Sequence, residues 1–109
     1  MEKGEIWIVQ FYSKKGREQE GTRPAIIIAD TKTDLILIIP LTSNLEALKK
    51  LPFTLEVKKS HENNLDKDSV ALIFQLQAID KKRLISKIGD IESHYLDKIN
   101  EVIKDLLKL

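Results

Sequence analysis

The side chains able to do chemistry in this 109-residue chain are few, and there is no cysteine among them. That removes disulfide frameworks, thiolate zinc sites and thiol nucleophiles together. The two histidines, His61 and His94, have no partner at metal-ligand spacing, so no metal site is expected. His61 lies in a polar stretch and works as an acid or base only if the fold carries it to a cleft; otherwise it is an idle exposed side chain. Arginine, lysine, hydroxyl and carboxylate groups remain. Lys14, Lys15 and Arg17 cluster in the segment Tyr12 to Arg23, which holds Gly16 and Gly21 among polar residues. Such a cluster either tracks a nucleic-acid backbone or is simply solvated. Taken alone, Arg23 reads as a surface arginine paired to a nearby carboxylate, and Thr42 as a satisfied strand-end hydroxyl. Trp7 and Phe11 read as core, although Phe11, Tyr12 and Phe74 stand near loop ends where an aromatic ring can stack a base.

The elements that must position these groups are mostly strands. Glu5 to Phe11 is β-branched and aromatic and reads as a strand, followed by an exposed loop from Tyr12 to Arg23. Ala25 to Ala29 and Leu35 to Pro40 are nearly all apolar and are joined by the polar Asp30 to Asp34, which suits a hairpin turn. Continuous apolar runs of this kind belong to strands buried on both faces, at the centre of a sheet or barrel. Asn44 to Lys50 fits either a helical turn or a loop before Pro52. Phe53 to Val57 alternates at period two, Lys58 to Asp68 is a polar connection, and Val70 to Ile79 starts apolar and becomes alternating, like a strand leaving the core for an edge. Asp80 to Arg83 turns the chain, with Lys81, Lys82 and Arg83 solvating the turn, and Leu84 to Ile88 gives one more short strand.

The last segment changes period. Tyr95, Ile99, Val102, Ile103, Leu106 and Leu107 recur at three and four residues, predicting an amphipathic helix. Asp90, Glu92 and Ser93 supply negative charge and a cap at its start, and Lys104 and Lys108 supply positive charge at its end. Strands first and one main helix last give a mainly β class with appended helices, an antiparallel barrel or sheet with a packed helix. The length fits a single domain over residues 1–109. With 18 basic and 17 acidic residues there is no global field toward nucleic acid or membrane, so a nucleic-acid site must be a local patch. The charged opening lacks the apolar stretch of a secretory signal, and the longest apolar run, Leu35 to Leu41, is far short of the ~20 residues of a membrane helix; a cytoplasmic protein with no membrane association is expected.

Five pieces, in order and at compatible spacing, resemble the MazF/PemK toxins. They are the opening Gly4-Glu5-Ile6-Trp7, the run Gly16-Arg17-Glu18-Gln19-Glu20-Gly21-Thr22-Arg23-Pro24, the element Pro40-Leu41-Thr42-Ser43, Asp68-Ser69-Val70, and Ile79-Asp80-Lys81-Lys82-Arg83-Leu84 with Ile88-Gly89 behind it. The resemblance implies an SH3-like antiparallel β-barrel, a homodimer, and a sequence-specific endoribonuclease of a type II toxin–antitoxin system that cleaves single-stranded RNA, with a cognate antitoxin protein covering the site and no cofactor. It assigns the catalytic arginine and threonine to Arg23 and Thr42 and the loop glutamate and glutamine to Glu18 and Gln19. Beside these positions, Arg17, Lys14 and Lys15 as a basic cluster, Phe11 as a loop-end ring and Ser43 next to Thr42 are read as further candidate substrate contacts. Two departures stand out: Arg17 occupies a position where a small residue is common, and the segment between the Arg-Pro pair and Thr42 is short.

These residue types suit metal-independent RNA cleavage. The ribose 2′-hydroxyl is the nucleophile, so the protein must remove its proton, stabilise charge on a pentacoordinate phosphate and protonate the leaving 5′-oxygen. Arg23 offers a permanently charged fork matched to two phosphate oxygens, carried on a backbone that Pro24 fixes. Its pKa above ~12 makes it a poor base. Glu18 can take the proton, and the Thr42 hydroxyl can donate to the phosphate. The expected products are a 2′,3′-cyclic phosphate and a 5′-hydroxyl. The competing reading is a noncatalytic binding module or a topoisomerase-poisoning toxin on the same fold. The latter kind relies on a tryptophan close to its C-terminus, whereas the only tryptophan here is Trp7.

Overall fold

The computed structural model describes residues 1–11, 21–48 and 50–109. β1 (Glu5–Phe11), β2 (Gly21–Asp30) and β3 (Leu35–Thr42) form an antiparallel meander, with Ile6 opposite Ile26 and Ile26 opposite Ile39. Their apolar runs are buried on both faces, as the absence of polar alternation predicts. One face gives Ile6, Ile26, Ile39 and Leu41 to a core shared with Val57, Ala71, Ile73 and Ile99. The other gives Val9, Ala25, Ile27, Ile36 and Ile38 to a second core closed by Ile79. At the β2–β3 turn Asp30 Oδ1 accepts from the Lys32 amide at 2.9 Å, and Lys32 takes the left-handed φ of 64°. β2 begins earlier than expected, because Gly21, Thr22 and Arg23 continue the ladder opposite Phe11, Gln10 and Val9. Arg23 therefore sits on a strand.

The rest of the sheet is β4 (Thr54–Val57), β5 (Ser69–Leu72), β6 (Gln77–Asp80) and β7 (Leu84–Asp90). The strand order is β4–β5–β3–β2–β1–β7, with β6 also on β3, and the sheet curls into an SH3-like barrel. β4 starts at Thr54 because Phe53 is left-handed, with φ 59°. The single strand expected from Val70 to Ile79 is interrupted. Ala71 pairs with Leu41 and Gln77 with Ile38, so six steps along this segment pass three along β3. The surplus is taken up by a 3-10 turn, Ile73–Gln75, which buries Ile73 and leaves Phe74 39% exposed. Asn44 to Lys50 resolves into α1 (Leu45–Leu48).

α2 (Ser93–Leu107) lays Tyr95, Leu96, Ile99, Val102, Ile103 and Leu106 on the first core. Leu107, expected on that face, is 52% exposed in the last turn. The residue preceding the helix is Glu92, yet its side chain makes no capping bond. It is turned away to the connection after β4. Among the described residues no helix is long and apolar enough to cross a membrane.

Candidate active site

The β2–β3 ladder ends at the pair Ala25–Pro40. Beyond Pro40, β3 leaves β2, and Leu41 and Thr42 pair with Ala71 and Val70 of β5. The parting strands open a cleft of about 540 Å³. β2 lines it with Thr22, Arg23 and Pro24, β3 and the residue after it with Leu41, Thr42 and Ser43, and the β4–β5 connection with Asn64, Leu65, Asp66 and Lys67. Ile8, Ser69 and Ile88 complete the lining.

Arg23 and Thr42 thus face one cleft from separate strands. Register explains why: Arg23 pairs with Val9 of β1 two residues before the last β2–β3 pair, Ala25–Pro40, and Thr42 pairs with Val70 of β5 two residues after it, so the two flank the point where the strands part. The guanidinium carbon of Arg23 stands 5.6 Å from the centroid of the Phe11 ring. Phe11 is the diagonal neighbour across the β1–β2 ladder, two residues on from Val9, which lies opposite Arg23. The ring packs against the second core, outside the cleft lining. Thr42 Oγ1 accepts from the Asn44 amide at 3.2 Å, which occupies a lone pair and leaves the hydroxyl hydrogen to donate. Ser43 is exposed at the cleft rim, and its carbonyl accepts from the Leu45 amide at 3.0 Å.

Lys14, Lys15, Arg17, Glu18 and Gln19 lie outside the described residues. His61 and His94 are both exposed and absent from the cleft lining; His94 stacks on Tyr95 with centroids 4.2 Å apart. Lys81 does more than solvate its turn: Nζ donates to Asp30 Oδ1 at 2.7 Å. Among the described residues no cluster of three or more histidine and carboxylate side chains could hold a metal ion.

Sequence reasoning missed the wall made by Asn64, Leu65, Asp66 and Lys67, treating Lys58 to Asp68 as a connection. Lys67 adds a second cation to the cleft beside Arg23, against the single carboxylate of Asp66 among the described lining residues. The wall is held by buried Asn63, whose Oδ1 accepts from the amides of Ser60 (3.0 Å) and Leu65 (3.1 Å). Its Nδ2 donates to the Lys58 carbonyl (2.9 Å) and to Glu92 Oε1 (3.0 Å). Burial pushes the Glu92 carboxyl up, but the hydrogen bonds from Ser60 and Asn63 outweigh it and hold the group below its ordinary value. A fully bonded asparagine has no period or spacing to betray it. The one sequence signal was Gly89: a β-carbon there would lie 2.5 Å from the Asn63 carbonyl oxygen.

With this geometry in place, the relatives are informative. The model of the PemK-like, MazF-like toxins of type II toxin–antitoxin systems matches residues 2–107. The chain is 29% identical over 107 residues to the Endoribonuclease MazF of Staphylococcus saprophyticus, covering 94% of this chain and 88% of that protein. Among solved structures, MazE-MazF (Form-II) from Deinococcus radiodurans superposes with a TM-score of 0.77 at 23% identity, covering 100% of this chain and 96% of the other. The Mycobacterium tuberculosis toxin MazF-mt6 gives 0.75 at 20% identity over 96% and 97% of the two chains. The chain belongs to the PemK-like, MazF-like toxin family of type II toxin–antitoxin systems.

Proposed function

We propose that this chain is a cytoplasmic, homodimeric, sequence-specific endoribonuclease, a single domain that cleaves single-stranded RNA without a metal ion and is silenced by a cognate antitoxin. The observation that carries the reading is the convergence of Arg23 and Thr42 on one cleft, the threonine hydroxyl oriented by the Asn44 amide. The family membership and the endoribonuclease named among its relatives support the enzyme class.

In the reaction the ribose 2′-oxygen forms a bond to phosphorus and the bond from phosphorus to the 5′-oxygen breaks. The 2′-hydroxyl proton passes to a base, for which Glu18 is the candidate, and the leaving 5′-oxygen takes up a proton from solvent water, to which the base later returns its own. The Arg23 fork grips two non-bridging oxygens as charge builds on them, and Thr42 donates to the same phosphate. Phe11 serves by fixing the guanidinium through its ring face. Lys67 attracts the adjoining phosphates, where a single charge on a flexible stem suffices. Ser43 offers a hydroxyl at the rim, and Gln19, Arg17, Lys14 and Lys15 are contacts to the flanking nucleotides. An antitoxin segment that covers the cleft would exclude the substrate by occupying it.

The test is incubation of antitoxin-free protein with a mixed-sequence single-stranded RNA in excess chelator, followed by mapping of the ends. Cleavage to 2′,3′-cyclic phosphate and 5′-hydroxyl ends is expected. Intact RNA would point to a noncatalytic binding module, and cleavage that the chelator stops would remove the metal-independent mechanism.

A further inference from the structure

The connection between β4 and β5 supplies a cleft wall but belongs to no ladder, so something else must hold it. Beside the Asp90 amide on the Glu62 carbonyl (3.1 Å), Tyr95 Oη on the Lys58 amide (3.0 Å) and Asp68 Oδ1 on the Lys59 amide (2.9 Å), three side chains do so together. Glu92 Oε2 accepts from Ser60 Oγ at 2.6 Å and its Oε1 from Asn63 Nδ2 at 3.0 Å. Ser60 Oγ in turn accepts from the Asn63 amide at 3.1 Å. All four hydrogen-bonding positions of the Asn63 side-chain amide are filled, and the side chain is fully buried. The next residues are the wall itself: the Asn64 amide donates to the Ser60 carbonyl at 2.9 Å, and Asn64 Nδ2 donates to the Ile88 carbonyl at 3.1 Å. Glu92 is the carboxylate that both Ser60 Oγ and Asn63 Nδ2 reach, and it stands at the start of α2 rather than on the barrel strands.

We propose that Glu92 is a positioning residue for RNA cleavage: its carboxylate, fixed at the start of α2, holds Ser60 and Asn63 and through them the Asn64 to Lys67 wall of the cleft. The inference rests on the nuclease reading of that cleft and assigns it a determinant no ladder residue supplies. Arg23 is placed by its pairing with Val9 of β1 and Thr42 by its pairing with Val70 of β5, contacts that do not include Glu92. Loosening the wall therefore weakens the hold on RNA more than it slows the chemical step. A merely structural role would lower stability and leave the affinity of the folded fraction unchanged.

The experiment measures kcat and KM on single-stranded RNA for the wild type and for Glu92→Ala, with amide exchange across residues 58–69. Loss of a hydrogen-bonded charge predicts a rise in KM of about tenfold with a much smaller change in kcat. It also predicts faster exchange at 64–67 while β2 and β3 keep their protection. Asn63→Asp sets a carboxylate against Glu92 and should raise KM further. Adding Glu92→Gln to Asn63→Asp restores the charge count and lets the new amide donate to the new carboxylate, so KM should move back toward the wild type. Should Glu92→Ala fail to fold, Glu92→Gln alone, which keeps the shape of the side chain, carries the comparison. An unchanged KM in the folded variant, or a double variant no better than Asn63→Asp, overturns the proposal. An inactive wild type would instead sink the nuclease reading, and exchange at 64–67 would still report whether Glu92 holds the wall.

Discussion

The two sides of the cleft are built by different physics. Arg23 and Thr42 stand on strands whose neighbours Ala25 and Leu41 are fully buried, so a slip of register would expose both cores. Asn64 to Lys67 stand on a connection with three exposed residues out of four, held by hydrogen bonds that Asn63 and Ser60 donate to the Glu92 carboxylate. The strand side is anchored by apolar burial spread over many residues, and the loop side by a few polar contacts that a single substitution can remove. Groups that must meet a transition-state charge belong on the first kind of support. A wall that only has to fit a substrate tolerates the second.

The comparison is broken most severely from the strand side. Arg23→Ala removes a preorganised donor, which typically costs ~3 to 4 kcal/mol of transition-state stabilisation, a factor of ~10² to 10³ in kcat. A thermal melt separates this loss from any change in stability, to which the contact with the half-buried Phe11 ring contributes ~1 to 2 kcal/mol. Single-turnover cleavage beside a thermal melt checks this, and a variant that keeps wild-type kcat removes Arg23 from the chemistry. Arg23→Lys retains the charge and loses the fork, so a loss approaching that of the alanine variant identifies bidentate contact. Thr42→Ala deletes a neutral donor and should cost less than Arg23→Ala, again in kcat.

From the loop side the sharper cut is Gly89→Ala. The new β-carbon would meet the Asn63 carbonyl oxygen at 2.5 Å and that of Glu62 at 2.7 Å, backbone atoms that cannot swing aside. Overpacking of this kind costs ~1 to 3 kcal/mol, enough to lower Tm by several degrees in a chain of this size. The connection must move, so KM should rise while kcat stays closer to the wild type, the reverse of Arg23→Ala. Equal losses in kcat for the two variants would erase the distinction between the sides.

How far each side could be read from sequence follows from the same difference. Isoleucine-rich runs such as Ala25 to Ala29 have a pattern because a two-sided core demands one, and the terminal helix has its period because one face must be apolar. The positions of Arg23 and Thr42 follow once those strands are paired. Asn63 had no such pattern: what fixes it is four partners at separations of 2 to 29 residues. Glu92 looked like helix-capping charge because its position is right for that role, yet its carboxylate is taken by Ser60 and Asn63. The 3-10 turn at Ile73–Gln75 was hidden for a related reason, since only the pairing of both flanks with β3 reveals the surplus residues.

The smallest effect lies at the end of β2 remote from Arg23 and supplies a control for both sides. Asp30 accepts from Lys81 Nζ at 2.7 Å and from the Lys32 amide at 2.9 Å, and these bonds hold its carboxyl down from 3.8 to about 2. A carboxyl whose folded pKa is depressed stabilises the fold at pH above its unfolded value, and that contribution is lost as pH falls through the folded one. The gap in Tm between the wild type and Asp30→Asn should therefore be constant above about pH 4, narrow between 4 and 2, and close near 2. Since the ion pair is partly open to solvent, the gap should also be modest and shrink with added salt. Glu92 is depressed too, but it is present in both proteins and cancels in the difference. Neither kcat nor KM should move, because Asp30 does not line the cleft. A gap that persists at pH 2 would mean that Asp30 stabilises the turn through neutral hydrogen bonds. A change in KM would show that the two ends of β2 are coupled, and the division between strand and loop would then have to include the β2–β3 turn.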